Sequence, residues 1–252
     1  MANRIEGILF DLGDTLLDFG KVDIPTLFES GARLTYDYLR QLRQPLPSFA
    51  SYHRRQLWAI RWNYLKSRFT RREFNALELM GRLASRMGHD LNGAQMMELA
   101  CLWYQPLGLC AKVEPGVREM LGEFTKAGLT LGMISNTFVP GEVLDRHLER
   151  LGLLELLPLR VYSCDVGYRK PHPNIFALTL ARANLQASRT LFVGDSPKAD
   201  IDGANRAGMI SVLKDPAGRH AQGTDRNIPP AHRLKSLLEL RRIVQQYNAV
   251  SQ

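Results

Sequence analysis

The nine residues ILFDLGDTL, at positions 8–16, join an apolar run to a polar loop. The first three form a continuous apolar stretch, which predicts a buried strand. Asp11 follows that strand directly, and open α/β sheets bind their ligands just beyond the carboxyl ends of their strands. The stretch therefore predicts an α/β fold with Asp11 at the sheet edge where a functional site would form.

The chain from Glu114 onward alternates between apolar strands and amphipathic helices. Strands are predicted at 129–135, 159–163, 190–194 and 209–213, and helices at 116–127, 140–151, 173–184 and 197–207. This alternation indicates βαβ crossovers and a parallel sheet. We therefore predict a doubly wound, Rossmann-like α/β core, followed by a loop after Lys214 and a closing helix from Leu234 to Tyr247.

The block between the first strand and this core is typical of helices. Residues 21–111 carry apolar residues at spacings of three and four, with few runs that resemble strands. We predict a helical cap over 21–111, inserted into a core made of residues 1–20 and 112–252. Such an insert would close over the carboxyl edge of the sheet.

Three further polar segments accompany the first stretch, and two of them follow predicted strands. They are Ser135-Asn136, Lys170-Pro171 and GDSPKAD at 194–200. In this order the four segments resemble the motif set of the haloacid dehalogenase-like hydrolases, most of which are phosphatases. The similarity continues through residues 200–209, where the family commonly reads D-x-x-G-A-x-x-A-G.

The resemblance implies a role for each of these residues. Asp11 would be the nucleophile and Lys170 would neutralise charge on the transferring phosphoryl group. Phosphate oxygens would be held by Thr15, Ser135, Asn136 and Lys170. A magnesium ion, which prefers oxygen ligands, would be held by Asp11, the Gly13 carbonyl, Asp195 and Asp200, with Asp200 orienting Lys170 or supporting the metal shell.

One residue departs from the family pattern. The family usually reads Asp-x-Asp-Gly-Thr, whereas here Gly13 precedes Asp14, so the second aspartate, the usual general acid and base, is missing. The enzyme would then act on good leaving groups, use another acid, or turn over little. Asp18 is the candidate replacement, because strand geometry would point Asp14 to the opposite side of the backbone; a cap residue is a further candidate.

These residues predict a magnesium-dependent phosphatase that hydrolyses a small phosphorylated metabolite through an aspartyl-phosphate intermediate. One alternative is a non-catalytic phosphate- or metal-binding or regulatory protein. Another is a 2-haloacid dehalogenase, which uses the same nucleophile without metal. Dehalogenases of this family usually lack a carboxylate at the position of Asp195, which favours the phosphatase.

The charge balance is basic, with a net charge of +8 over 252 residues. A phosphorylated metabolite would satisfy the anionic partner that this balance suggests. Positive charge concentrates in residues 51–74, where Glu73 is the single acid. If this segment is one helix, Arg54, Arg61 and Arg68 form a stripe along one face, which would be either a solvated surface or a contact for an anionic partner. The candidates for binding a second anionic group of the substrate are Arg54, Arg61, Lys66 and Arg68. No nucleic-acid-binding motif accompanies the stripe, so a nucleic-acid partner is not expected.

Other features indicate an ordinary globular protein. No apolar run approaches the length of a membrane span, so no membrane partner is expected. The chain has three cysteines, which predict buried free thiols in a reducing compartment: Cys101, Cys110 and Cys164. We therefore expect a cytoplasmic location. Core burial is the expected state of Trp58, Trp62 and Trp103. Oligomeric state and substrate identity leave no signal in the sequence.

Overall fold

A computed structural model describes residues 4–70, 72–218, 220 and 228–249. Within these residues a six-stranded sheet has the strand order β5-β4-β1-β6-β7-β8, and every neighbouring pair is parallel. The strands are β1 (Gly7–Phe10), β4 (Thr130–Ser135), β5 (Leu159–Tyr162), β6 (Thr190–Gly194), β7 (Ile210–Lys214) and β8 (His232–Leu234). A separate antiparallel pair, β2 (Leu17–Asp18) and β3 (Lys112–Val113), joins the two chain segments that lead into and out of the cap.

Helices flank the sheet and form the cap. The helices of the inserted block are α1 (Ile24–Gln41), α2 (Phe49–Thr70), α3 (Ala76–Arg86) and α4 (Gly93–Cys110). The core helices are α5 (Val117–Lys126), α6 (Gly141–Arg150), α7 (Ser163–Val166), α8 (Pro173–Ala183), α9 (Asp202–Arg206) and α10 (Leu240–Ala249). A short π-helical segment, Pro197–Ile201, leads directly into α9. The Rossmann-like α/β fold predicted from the sequence is confirmed.

The first strand lies in the middle of the sheet, and this position creates the site. All four residues of β1 are buried, as expected for a strand with helices on both faces. β1 pairs with β4 on one side and with β6 on the other. The chain therefore continues on opposite sides of β1, and the crevice at such a switch point is where doubly wound sheets bind ligands.

The cap has a small core of its own, built around Ala32, Leu39, Tyr52 and Leu99, and its helix α4 packs against α6 of the α/β domain. Asn92 caps α4 by accepting the backbone N–H of Gln95, whose side chain accepts the N–H of Asn92 in return. Trp103 is buried where the cap meets the core, stacked obliquely on Phe138 with ring centroids 5.9 Å apart. The prediction of core burial is confirmed for Trp103.

That prediction is wrong for the other two tryptophans. Trp58 is 69% exposed and Trp62 is 58% exposed, both on α2. The buried face of α2 is formed instead by smaller side chains, including Ala59 and Ile60. Aromatic content alone did not reveal which face of this helix packs inward.

The carboxyl-terminal part departs from the prediction in its strands. Residues His232–Leu234 form an additional edge strand, β8, which pairs with β7. The closing helix α10 therefore begins at Leu240, after a short 3-10 turn at Leu237–Glu239, rather than at Leu234. Part of the predicted loop after Lys214 lies outside the described residues. The three cysteines are half-buried rather than buried, and none forms a disulfide.

The core on the α8 side of the sheet offers a test of the packing. Phe176 is fully buried, with its ring 5.2 Å from that of Phe192, and its ring carbons occupy the space that a Cβ at Gly203 would need. We expect Phe176→Ala to lower the free energy of unfolding by about 3–5 kcal/mol, because it leaves a large cavity. Urea denaturation measures this, with Leu109→Ala as the control, since Leu109 is 69% exposed. An unchanged midpoint for Phe176→Ala would contradict this packing.

Candidate active site

Four charged side chains from three segments meet at the carboxyl edge of β1 and β6. The Lys170 Nζ lies 2.5 Å from Asp11 Oδ1 and 2.7 Å from Asp200 Oδ1. Carboxylate oxygens of Asp11, Asp195 and Asp200 all lie within 4.8 Å of one another. Parallel pairing explains the convergence, because Asp11 and Asp195 each follow a strand of the same pair. The structure thus brings together the predicted nucleophile, lysine and acidic pair.

Lys170 is held in place by β4 and by the loop that follows it. Its Nζ donates a 2.8 Å hydrogen bond to the carbonyl of Ile134. The Asn136 side chain accepts the N–H of Lys170 at 2.7 Å and donates to its carbonyl at 3.0 Å. The Asn136 side chain therefore positions the backbone of Lys170, a contact that the sequence analysis did not anticipate. The Asn136 amide predicted for phosphate binding is also on the wall of the cleft.

Burial and mutual repulsion shape the protonation of the acidic cluster. Burial raises the pKa of Asp11 to about 7; Lys170 opposes the shift, and Asp200 and Asp195 add to it. Burial also raises the pKa of Asp195 to about 6, with Asp200 and Asp14 adding repulsion. For Lys170, burial favours the neutral amine, but the carboxylates of Asp11 and Asp200 outweigh it and raise its pKa. Lys170 is therefore the cation that these carboxylates share.

The excess of negative charge suits a divalent cation. Three carboxylates converge with one lysine, and burial, with added repulsion from neighbouring carboxylates, raises the pKa values of Asp11 and Asp195. Oxygen donors of this kind suit Mg²⁺, which is commonly held by one or two carboxylates and substrate phosphate. Asp200 already contacts Lys170, and its Oδ2 accepts the N–H of Ser196 at 2.9 Å. Asp11 and Asp195 are therefore the carboxylates best placed to hold a metal.

The loop after β1 contacts the acidic cluster through Thr15. The Thr15 hydroxyl lies 3.4 Å from Asp11 Oδ2 and 3.5 Å from Asp195 Oδ1, so it reaches both carboxylates. The carbonyl of Thr15 accepts a 2.7 Å bond from Lys214 Nζ, at the end of β7. Sequence reasoning missed Lys214, although a lysine at the end of a buried strand was the available signal. Ser135 ends β4 and is buried in the same cleft wall.

The place of the missing acid is open to a side chain. A Cβ at Gly13 would meet only the ring of Phe19, at 3.7 Å, which is ordinary van der Waals contact. Asp14 takes a left-handed conformation, φ 57°, so the chain turns after Gly13 and Asp14 reaches the cleft wall. The extended geometry assumed in the sequence analysis does not continue through this loop.

Asp18 lies outside the cluster. It is exposed on β2, its carboxylate accepts the N–H of Gly20 at 2.8 Å, and it borders a different cleft together with Lys112. The structure therefore does not bring this predicted acid to Asp11. Of the two aspartates beyond Gly13, Asp14 is the one on the cleft wall.

Core and cap together enclose a cleft of about 580 Å³ above Asp11. One wall carries a buried ion pair, in which Arg169 Nη1 lies 3.1 Å from Glu73 and 2.8 Å from the Ser67 hydroxyl. Burial raises the pKa of Glu73, and Arg169 opposes the shift. The sequence hint of this ion pair was Glu73 itself, the single acid in the basic segment 51–74. The remaining wall is mostly apolar: Phe19, Val22, Ile24, Tyr64, Tyr104, Leu107, Phe138, Val139 and Leu144.

The basic stripe predicted on residues 51–74 does not line this cleft. The segment does form one helix through Thr70, and its arginines are exposed to solvent. Tyr64 and Glu73, rather than the stripe, reach the cleft from this part of the cap. A second anionic group of a substrate bound above Asp11 would therefore not meet the four residues predicted to bind it, Arg54, Arg61, Lys66 and Arg68.

The parallel sheet, the carboxylate cluster at its switch point and the helical cap above them define a capped, Rossmann-like α/β protein with an acidic site at the sheet edge. Residues 5–208 match the family model of the haloacid dehalogenase-like hydrolases. The chain belongs to this family.

In the described residues, no helix combines the length and hydrophobicity needed to cross a bilayer.

Curated relatives of the chain are named as phosphatases. A ribulose-1,5-bisphosphate 5-phosphatase from Halopiger xanaduensis is 37% identical over 41% of this chain and 42% of its own length. A glyceraldehyde 3-phosphate phosphatase from Methanopyrus kandleri is 24% identical over 82% of this chain and 83% of its own. The chain thus spans less than half of the first of these proteins and most of the second.

Solved structures share the whole architecture, cap included. A 2-haloacid dehalogenase from Pseudomonas syringae is 24% identical and covers 96% of this chain and 99% of its own, with a TM-score of 0.65. A phosphatase of the family from Thermococcus onnurineus is 21% identical and covers 95% and 98%, with a TM-score of 0.60. At these identities the similarity concerns the fold alone.

Proposed function

We propose that this protein is a magnesium-dependent phosphatase that hydrolyses a small phosphorylated metabolite through an aspartyl phosphate on Asp11. The observation that carries the proposal is the buried contact of Asp11 with Lys170, beside Asp195, at the floor of a cleft beneath the cap. The phosphatase names of the curated relatives support the same reaction class.

In the proposed reaction, a carboxylate oxygen of Asp11 attacks the phosphorus atom and the bond to the leaving-group oxygen breaks. That oxygen takes a proton, ultimately the one released by the attacking water in the second step, and departs as the alcohol. Water then attacks the phosphorus of the aspartyl phosphate, which releases inorganic phosphate and restores Asp11. Mg²⁺, held by Asp11, Asp195 and the carbonyl of Gly13, would neutralise phosphate charge next to the nucleophile. Lys170 stabilises the negative charge of the transferring group, and Asp200 keeps Lys170 oriented.

Phosphate oxygens would be held by polar groups around the floor of the cleft. Ser135 and the backbone amide of Asn136 lie at the end of β4, where parallel strands present groups for anion binding. Thr15 contributes a hydroxyl from the loop after β1. The clustering of Asp11, Asp195 and Asp200 favours metal-assisted phosphoryl transfer over metal-free dehalogenation.

Release of inorganic phosphate from p-nitrophenyl phosphate and acetyl phosphate, with Mg²⁺ or with EDTA, tests the proposal. We expect turnover only with Mg²⁺. A panel of sugar, nucleoside and glycolyl phosphates tests leaving groups that need protonation, and 2-chloropropionate tests the dehalogenase alternative. Magnesium binding without turnover of any substrate would favour the non-catalytic alternative instead.

Gly13 allows a gain-of-function test of the missing acid. We expect Gly13→Asp to raise kcat for alkyl phosphates at least about tenfold, because general acid–base catalysis is worth roughly 10²–10⁴ in rate. The position has room for a Cβ. Steady-state kinetics compares this variant with Gly13→Ala, which adds the same Cβ without an acid and should give no gain. Equal rates for the two variants would mean that another group already protonates the leaving group.

A further inference from the structure

Helix α2 carries an apolar ridge that nothing in the described protein covers. The ridge consists of Trp58, Trp62, Leu65 and Phe69, whose exposed fractions are 69%, 58%, 49% and 81%. Spacings of four, three and four residues place all four side chains on one face of the helix. The rings of Trp58 and Trp62 stack on each other, with centroids 6.2 Å apart and planes 5° apart. A contiguous exposed apolar strip of this kind marks a contact surface rather than ordinary scatter.

The ridge is bordered by positive charge on both sides. At 100° per residue, one row lies on one flank and a second row lies on the other. The first row is Arg54, Arg61 and Arg68, and the second is Arg55 and Lys66; all five are exposed. The helix sequence contains no acidic residue. The surface therefore combines an aromatic centre with two cationic borders.

The ridge faces away from both the cap interior and the cleft. The buried residues of α2, which include Tyr52, Gln56 and Ile60, lie on the opposite side of the helix. Tyr64, which lines the cleft, lies about 100° or more from the ridge residues around the helix axis. Contact at the ridge would therefore leave the entrance to the cleft free.

Charge and shape together select the partner. Two copies of this chain pairing through the ridge would bring five cations of each into proximity, which is repulsive. A nucleic acid whose phosphate backbone contacted both basic rows would have to lie across the apolar ridge between them, where its phosphates would meet no cation. An anionic bilayer offers headgroup charge to the arginines and a headgroup–acyl boundary to the Trp, Leu and Phe side chains. A bilayer surface is also deformable, so it can accept a convex ridge without a preformed groove.

We propose that α2 docks this protein onto anionic lipid membrane surfaces, with the ridge inserted at the interface and the basic rows on the headgroups. This is peripheral attachment, so it is compatible with the absence of a membrane-spanning helix in the described residues. It departs from the sequence-based expectation of no membrane partner, which considered spanning segments only. The proposal does not depend on the proposed phosphatase reaction.

Co-sedimentation with vesicles of phosphatidylcholine, alone or mixed with phosphatidylglycerol, tests the proposal on the full chain. We expect binding to the mixed vesicles to be at least roughly tenfold tighter than to the neutral ones, and to weaken with added salt. Tryptophan emission should shift to shorter wavelength on binding, because the exposed Trp58 and Trp62 leave water while Trp103 is already buried.

Two variants separate the contributions of ridge and charge. Trp58→Ser/Trp62→Ser should abolish the spectral shift and most binding, and Arg54→Gln/Arg61→Gln should remove the preference for anionic vesicles. Leu109→Ser is the matched control, since Leu109 is equally exposed but lies on α4. All three should retain native circular dichroism and wild-type turnover.

Several results would overturn the proposal. No binding to mixed vesicles would do so, as would equal binding to neutral vesicles or unchanged binding of the tryptophan variant. Light scattering that showed a dimer lost in the tryptophan variant, without vesicle binding, would assign the ridge to a second copy. Ridge-dependent binding of a single-stranded oligonucleotide, again without vesicle binding, would assign it to nucleic acid.

Discussion

Asp11→Asn is expected to lower turnover at least about 10³-fold while leaving the protein folded, because the amide cannot act as the nucleophile. The substitution is nearly isosteric, and Lys170 keeps its 2.7 Å contact with Asp200. It also removes a carboxylate whose pKa burial raises to about 7, so the fold loses an unfavourable buried charge along with an ion pair.

Initial rates with p-nitrophenyl phosphate measure this effect, and Asp18→Asn provides the matched control. Asp18 lies seven residues further along the chain on β2, is exposed and borders a different cleft, so its variant should stay within about twofold of wild type. A large loss in Asp18→Asn would restore it as the replacement acid.

A phosphoprotein trap separates the role of Asp11 as nucleophile from a role in metal binding. Acid quench during turnover of a ³²P-labelled substrate should capture labelled wild-type protein and no labelled Asp11→Asn. Full turnover by Asp11→Asn would exclude the aspartyl-phosphate mechanism. Loss of turnover without any trapped label in wild type would leave Asp11 as a metal ligand only.

The sequence predicted the α/β core and the acidic cluster because both depend on short local patterns. Asp11 and Asp195 each follow an apolar strand, and parallel strands carry such residues to one edge of the sheet. β8 was missed because its three residues carry no strand-like alternation and follow a sequence segment rich in glycine, proline and charge. Its pairing with β7 is a long-range contact without a local signature.

The least predictable parts of the site are its contacts between distant segments. The Glu73–Arg169 pair joins residues 96 positions apart in the sequence. The turn at Asp14 depends on a left-handed residue that carries no glycine signal. The predictions for Asp14 and Asp18 are therefore both reversed. Asp14, next to Gly13, lines the cleft above Asp11, whereas Asp18 borders a different cleft.

Asp195→Asn is expected to abolish magnesium-dependent turnover and at the same time to stabilise the metal-free protein. Burial and the charges of Asp200 and Asp14 raise the pKa of Asp195 to about 6, from 3.8. A raised carboxyl pKa means that the folded state binds the proton more tightly than the unfolded chain. As pH rises from about 4 to about 6, the unfolded chain releases this proton before the folded protein does, so the free energy of unfolding falls. Above about pH 6 the carboxyl is ionised in both states, and the protein has lost all of the stability that the proton supplied.

Asparagine removes that cost without changing the size of the side chain. At pH 8 the metal-free variant should therefore be more stable than wild type by roughly 1–3 kcal/mol, and the difference should shrink towards zero near pH 4. Urea denaturation in EDTA at the two pH values measures it, with Asp18→Asn as the control, since Asp18 is exposed and lies outside the acidic cluster.

Magnesium should reverse the order of stability. An ion that binds only the folded state stabilises wild type in proportion to the logarithm of its concentration, and Asp195→Asn should gain little because it has lost a ligand. A stability gain in EDTA together with a lost magnesium response would identify Asp195 as a residue kept for metal binding at the expense of the fold. Destabilisation of the variant in EDTA at pH 8 would contradict the electrostatic account, and an undiminished magnesium response would remove Asp195 from the metal site.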